Sequence, residues 1–395
     1  MKRTMLLAVV FVALSTMVMA QQGQRTGQGG QRFGFVQNQD DFKPKLYVNL
    51  PEWCHNPDGM TVNKETGLVY LNCPNFNNMT DGKKEFAPTL SSIDKVGKLE
   101  KLLEYPPLEE TGQCGPMGLC FGPDGNLYVC DNQYFHNTDH KSRILRVDMK
   151  DGKPTGKITP VVEGLKLANA VMWTNNEMWV TDTFLDFPGE FGIGGLWRFK
   201  GDEILKQTQP LKVLPNGQDK HLVVKEKVKK IGREDNGGAD GMTVDGNGVI
   251  YFGNFGDGVM YAVTVDGDAV KCTKILDDER YQCCDGIFYD AACNLIFIND
   301  SMKNAIHVMF PLREGGTQAR LFTLWENDDT DGSDGLLDQP CECVVRDGKM
   351  IIANFDWPFP GLKNKAFNKP HTISVIDLTP LYERMERMRQ QRPTQ

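Results

Sequence analysis

The chain has 395 residues, with 44 Lys and Arg against 52 Asp and Glu, for a net charge of −8. A composition of 40% hydrophobic and 24% charged residues fits a globular protein and argues against disorder throughout or a membrane bundle. The acidic balance speaks against nucleic-acid binding, which needs a basic surface, and suits a protein that binds small molecules or cations.

Residues 1–20 carry Lys2 and Arg3, then an apolar run, then Val18-Met19-Ala20. This is the layout of a cleaved secretory signal peptide, so the expected location is secreted or periplasmic. The run is short for a bilayer anchor, and no other stretch is long and apolar enough to span a membrane. Residues 21–41 begin QQGQRTGQGGQR and read as a flexible Gln/Gly-rich leader.

From residue 42 to 380 one pattern recurs six times: a small or acidic residue, an apolar strand, a turn and a second apolar strand. The copies are DGMTVNKETGLVYLN from Asp58, MGLCFGPDGNLYVCD from Met117 and NAVMWTNNEMWVTD from Asn169. They continue with DGMTVDGNGVIYFGN from Asp240, DGIFYDAACNLIFIND from Asp285 and CECVVRDGKMIIAN from Cys341. Each copy reads as a hairpin. Further strand-like runs follow most copies, such as Arg143–Val147 and Gly195–Phe199. Four strands per repeat of this length predict an all-β, six-bladed β-propeller with four-stranded antiparallel blades. Residues 381–395 form a basic C-terminal tail; its helical start has Thr379 as the expected cap and Pro380 in the first turn.

A propeller gathers equivalent positions around one channel. The first residue of each copy therefore forms a ring: Asp58, Met117, Asn169, Asp240, Asp285 and Cys341. Converging carboxylates repel and need protons or a cation. Hard oxygen donors favour Ca2+, with Mg2+, Zn2+ and Mn2+ as alternatives. Asp-Gly also closes ordinary turns, so the convergence of several copies carries this reading rather than any one of them.

Asn236-Gly237-Gly238-Ala239-Asp240-Gly241-Met242-Thr243-Val244, followed by Gly253-Asn254-Phe255-Gly256, resembles the fourth-blade metal segment of the regucalcin/gluconolactonase (senescence marker protein-like) family. That family also includes diisopropylfluorophosphatase. Leu167-Ala168-Asn169-Ala170-Val171-Met172-Trp173, with Trp179-Val180-Thr181-Asp182-Thr183, is similar to its third-blade segment. The resemblance covers about residues 50–378. It implies a metal-dependent hydrolase of a sugar lactone or related ester, with Asp240 as ligand and general base. Asp58 and Asn169 would be further metal ligands, and Asp285, taken from the ring itself, completes the candidate ligand set. Met117, Asn132, His136 and Asp182 are the candidate substrate contacts. Asp58 stands where the family has Glu, and Met117 where it usually has Asn; a thioether suits a hard cation poorly. The competing readings are a non-catalytic propeller that binds a small ligand or protein partner, and a propeller enzyme of other sugar chemistry.

Eleven cysteines without a Cys-x-x-Cys pair disfavour a zinc ribbon, and the sequence leaves disulfides and buried thiols both open. Asp329-Thr330-Asp331-Gly332-Ser333-Asp334-Gly335 starts like a calcium loop, but Pro340 stands where an EF-hand needs Glu. It reads as a polar turn.

Overall fold

In a computed structural model, described over residues 38–76, 86–185, 192–215, 218–229 and 237–391, the six repeats become six antiparallel sheets. Residues 1–37, which include the expected signal peptide and most of the leader, lie outside the described residues. From the axis outward, blade 1 is Met60–Val62, Val69–Cys73, Thr89–Ile93 and Leu99–Glu104. Blade 2 is Pro116–Phe121, Leu127–Asp131, Ser142–Lys150 and Lys153–Leu165, with the short parallel strand Leu211–Lys212 added at its rim. Blade 3 is Ala168–Thr174, Glu177–Asp182, Ile193–Lys200 and Leu222–Lys227. Blade 4 is Ala239–Val244, Ile250–Asn254, Met260–Asp266 and Ala269–Leu276; blade 5 is Ile287–Asp290, Leu295–Asp300, Ala305–Met309 and Leu321–Glu326. Blade 6 is Pro340–Arg346, Lys349–Asn354, Thr372–Asp377 and, from the other end of the chain, Lys45–Asn49. That last pairing, Lys45 with Val375 through Asn49 with Thr372, locks the ring.

Turn chemistry sets the hairpins. Asn175 and Asn176, Asp151 and Gly152, and Asp347 and Gly348 all have positive φ, the pair of left-handed residues that two-residue turns require. The apolar faces then pack blade against blade. Tyr70, Leu90 and Tyr105 of blade 1 and its flank bury against Leu127, Val129, Leu145 and Val147 of blade 2. Trp179, Leu196 and Val224 of blade 3 bury against Ile250, Phe252 and Val263 of blade 4. Each such large side chain contributes about 1.5–3 kcal/mol of burial. All eleven cysteines are free thiols, and all but Cys120 and Cys272 are buried in these layers.

The folded body starts slightly before residue 42. Gln39–Phe42 is a 3-10 turn whose Phe42 is fully buried beneath the Arg384 guanidinium, and Arg384 also pairs with Asp41 at 2.7 Å. The C-terminal helix Thr379–Gln390 has Leu378 rather than Thr379 at its N-cap position, without a capping side chain, and the Asp377 carboxylate accepts the Thr379 N–H at 2.9 Å. Its Leu381 and Met385 are buried, and the Tyr382 hydroxyl donates to Asp290 at 2.6 Å. No helix among the described residues is long and apolar enough to cross a membrane.

Candidate active site

The ring begins with a backbone irregularity. In blades 2, 3, 4 and 6 the inner strand slips register beside the ring residue, between Pro116 and Leu119, Ala168 and Val171, Ala239 and Met242, and Pro340 and Glu342. Such bulges re-aim side chains. In blade 5 the Asp285 N–H donates to Asn299 and the Asn299 N–H donates to the Gly286 carbonyl. Blade 1 repeats this, with Asp58, Asn72 and Gly59.

The glycines after the ring residues are not turn glycines, since none of Gly59, Gly118, Gly241 or Gly286 has positive φ. They permit blades to touch. A Cβ on Gly59 would lie 2.4 Å from the Met117 carbonyl oxygen, and one on Gly118 2.6 Å from that of Asn169. One on Gly241 would lie 1.8 Å from the Asp285 carbonyl oxygen, and one on Gly286 2.3 Å from Glu342 Oε1. Asn169 Nδ2 donates to Asp240 Oδ2 at 2.8 Å, and the Cys341 thiol donates to the Pro57 carbonyl at 3.0 Å. These contacts join blades 1 to 6 and return to blade 1.

Four buried carboxyls lie within electrostatic reach of one another around this ring: Asp58, Asp240, Asp285 and Glu342. Burial lifts Asp58 to about 7 against the opposing Gly59 N–H. Burial, then the charges of Asp58 and Glu342, hold Asp240 well above the usual carboxylate range. Asp285 is raised by burial and by Asp240 and Asp58, with the Ser301 hydroxyl and Gly286 N–H pulling the other way. Glu342 is raised by burial and by Asp285 and Asp58, against the hydrogen bond it accepts from Cys343 N–H. Asp240, Asp285 and Glu342 each feel two others of the set, and Asp58 is one of the two in every case, which links the four electrostatically.

Glu342 is the member that the sequence reading passed over. Blade 6 opens Cys341-Glu342, and Glu342 fills the slot where blades 1, 2, 4 and 5 have glycine. A charged residue in a glycine slot was the available signal. Met117, in contrast, is buried in the apolar core, and its carbonyl accepts from Asn72 Nδ2 at 2.6 Å.

The remaining candidates divide by their bonds. Asp182 is fully buried and accepts the Leu167 and Lys166 N–H groups at 2.7 and 3.1 Å and the Trp197 indole N–H at 3.2 Å. It clasps its own blade, as Asp131 does in blade 2 by accepting from Gly115 N–H and the Arg143 guanidinium. Asn132 is fully buried, and its Oδ1 accepts the Tyr134 N–H at 2.9 Å. His136 is half-buried in the same loop, its ring 6.0 Å from that of Phe76.

A second acidic group lies where the loops flanking blade 6 meet. Asp338 is 2% exposed and its Oδ1 has no hydrogen-bond partner among the described residues. Burial, with the neighbouring charges of Asp356, Asp329 and Asp331, lifts it to about 8 despite a hydrogen bond from Asn368. A carboxyl raised in the fold favours folding when protonated, and that contribution is lost as the pH rises from about 4 to about 8. In chelator, Asp338→Asn should therefore be more stable than the parent by roughly 2 kcal/mol at pH 8. The gap should close towards pH 4. Thermal unfolding across that range checks it, and a gap independent of pH refutes it.

For a metal, the donor chemistry of the channel fits a hard cation: buried, mutually repelling carboxyls beside the Asn169 amide. Among the described residues, no three His, Cys, Asp or Glu side chains stand close enough to hold an ion. An ion here would draw on two carboxylates at a time, with Asn169 and water completing its shell.

Residues 83–275 match the family model described as SMP-30/Gluconolactonase/LRE-like region. No curated protein sequence matches the chain. Among solved structures, a luciferin-regenerating enzyme is 11% identical, with 86% of this chain and 96% of that one covered at a TM-score of 0.53. A protein assigned as a gluconolactonase is 13% identical, with 86% and 92% covered at 0.51. The PQQ-bound aldose sugar dehydrogenase of Streptomyces coelicolor is 13% identical, with 85% and 98% covered at 0.51. At these identities the likeness is one of fold, and the fold hosts more than one chemistry. The matched region and the six-bladed ring around it liken this chain to the regucalcin/gluconolactonase-like propellers.

Proposed function

We propose that the protein hydrolyses a lactone or related ester in its central channel, with a divalent cation, Ca2+ foremost, as cofactor. The observation that carries this reading is the ring of buried, mutually interacting carboxyls Asp58, Asp240, Asp285 and Glu342, with Asn169 bonded to Asp240. When bound, a cation would polarise the ester carbonyl and acidify a water. Asp240, Asp58 and Asn169 would hold it, and Asp285 and Glu342 would complete the surrounding charge. Asp240, already fixed by Asn169, is placed to accept a proton from the attacking water. A lactone is the family-like substrate class, and the opening residues favour a secreted or periplasmic enzyme.

Calorimetric titration of the protein with Ca2+, Mg2+, Mn2+ and Zn2+, followed by a lactone screen, tests the proposal. Saturable binding with metal-dependent hydrolysis supports it. Binding without turnover favours the second reading, a non-catalytic binding propeller, for which the apolar Met117 in the ring already speaks. No binding and no hydrolysis removes both the cofactor and the enzyme reading.

A further inference from the structure

The segment after the second strand of blade 6, residues 355–371, is not part of the repeat. It leaves blade 6 with the Phe355 N–H on the Gln339 carbonyl, and the Asn56 amide Nδ2 on the Phe355 carbonyl. Trp357 then stacks on Phe76 from blade 1, rings 5.5 Å apart and 26° from parallel. Its other neighbours are Phe135 from blade 2, edge-on at 5.5 Å, and Phe355 at 5.8 Å. Two residues later, Phe359 meets Phe255 of blade 4 at 5.9 Å. Leu362 packs on Met302 of blade 5, and the Lys363 N–H donates to the Met302 carbonyl at 3.0 Å.

Blades 2, 4 and 6 are alternate members of a six-membered ring, so contacts with all three enclose the axis. A segment rooted in blade 6 that reaches blade 2 at Trp357 and blade 4 at Phe359 crosses above the channel. It roofs the face on which the ring residues open. Where the roof meets blades 1, 2 and 4, both it and the walls it touches are aromatic.

We propose that this strap selects the substrate of the hydrolase, and that the substrate is a lactone or ester bearing an aromatic ring rather than a polyhydroxylated sugar lactone. The inference rests on the channel being the hydrolytic site. Rings such as Phe76, Phe135 and Trp357 reward a planar apolar partner by offset and edge-on contact. Sugar hydroxyls buried against them would lose water without replacement hydrogen bonds. Trp357 is the specificity-determining residue because it belongs to the strap and touches the rings of blades 1, 2 and 6 together. The ring of the substrate lies under the strap while its carbonyl points down to the carboxyls.

The test compares kcat/KM on dihydrocoumarin and on glucono-1,5-lactone, each divided by its spontaneous hydrolysis rate. The wild type should prefer dihydrocoumarin at least tenfold. Trp357→Ala should erase the preference, mainly through KM, and Trp357→Phe should restore most of it. Phe359→Leu serves as a milder second variant and should reduce the preference if Trp357→Ala does not fold. Equal use of both lactones by the wild type, or a preference that survives these substitutions, overturns the proposal. If neither lactone is hydrolysed, the enzyme reading fails separately, and calorimetry with 2-tetralone, a non-hydrolysable ring ketone, judges the strap alone. Saturable binding weakened tenfold or more in Trp357→Ala upholds the aromatic site; no binding by the wild type overturns it.

Discussion

Asp240→Asn is expected to lower lactone hydrolysis by about a thousandfold while raising the melting temperature. The two effects have one cause. Asp240 is 3% exposed and shares its space with the charges of Asp58 and Glu342, so the folded state bears the repulsion of assembling them. An amide keeps the size and a hydrogen-bonding oxygen near Asn169 while removing the charge. It also removes the proton acceptor and weakens any cation site. Rates on an active lactone and unfolding in chelator are the paired measurements. A variant that stays active, or one that loses stability along with activity, is incompatible with a strained catalytic ring.

The second large effect is purely steric. Gly241→Ala would bring a methyl within 1.8 Å of the Asp285 carbonyl oxygen, which belongs to the backbone of the next blade and has little room to retreat. Blades 4 and 5 would have to part, and we expect a loss of about 3 kcal/mol or more. Gly125→Ala is the control. Its φ of 76° is strained for alanine, yet nothing stands within 4 Å of the added methyl. That change should cost only about 1 kcal/mol. Chemical denaturation of the two variants separates them, and equal losses would mean that the inter-blade contact is unimportant.

Much of this architecture was legible because a propeller writes its fold as a repeat. The six hairpins stand where the six copies stand, and the Asn-Asn and Asp-Gly pairs announce their turns by the φ they must adopt. The ring was legible for the same reason, since one position per copy converges on one axis. What escaped was whatever broke the period. Glu342 sits one residue past the expected ring member, in a glycine slot. The closing strand Lys45–Asn49 belongs to blade 6 although it precedes blade 1 in the chain, and no local pattern encodes so distant a partner. The strap is aperiodic, so its aromatic residues read as loop until their partners in four other blades are in place. Asp182 ends a strand just as a site residue would, and only its three donors show that it fastens the blade.

The pairing of Lys45–Asn49 with Thr372–Asp377 also orders events during biosynthesis. Nearly the whole chain must leave the ribosome before the first strand can meet its partner. Hairpins and single blades form early from near neighbours, whereas ring closure waits for a contact between the two ends of the sequence. Until then the last blade keeps an open edge, a site for mispairing with other chains. The delay has a compensation. Asp58 lies in the first blade and Asp285 and Glu342 in the last two, so the four acids are crowded together only once the circle shuts. Nascent intermediates are thereby spared the electrostatic load that the finished molecule carries.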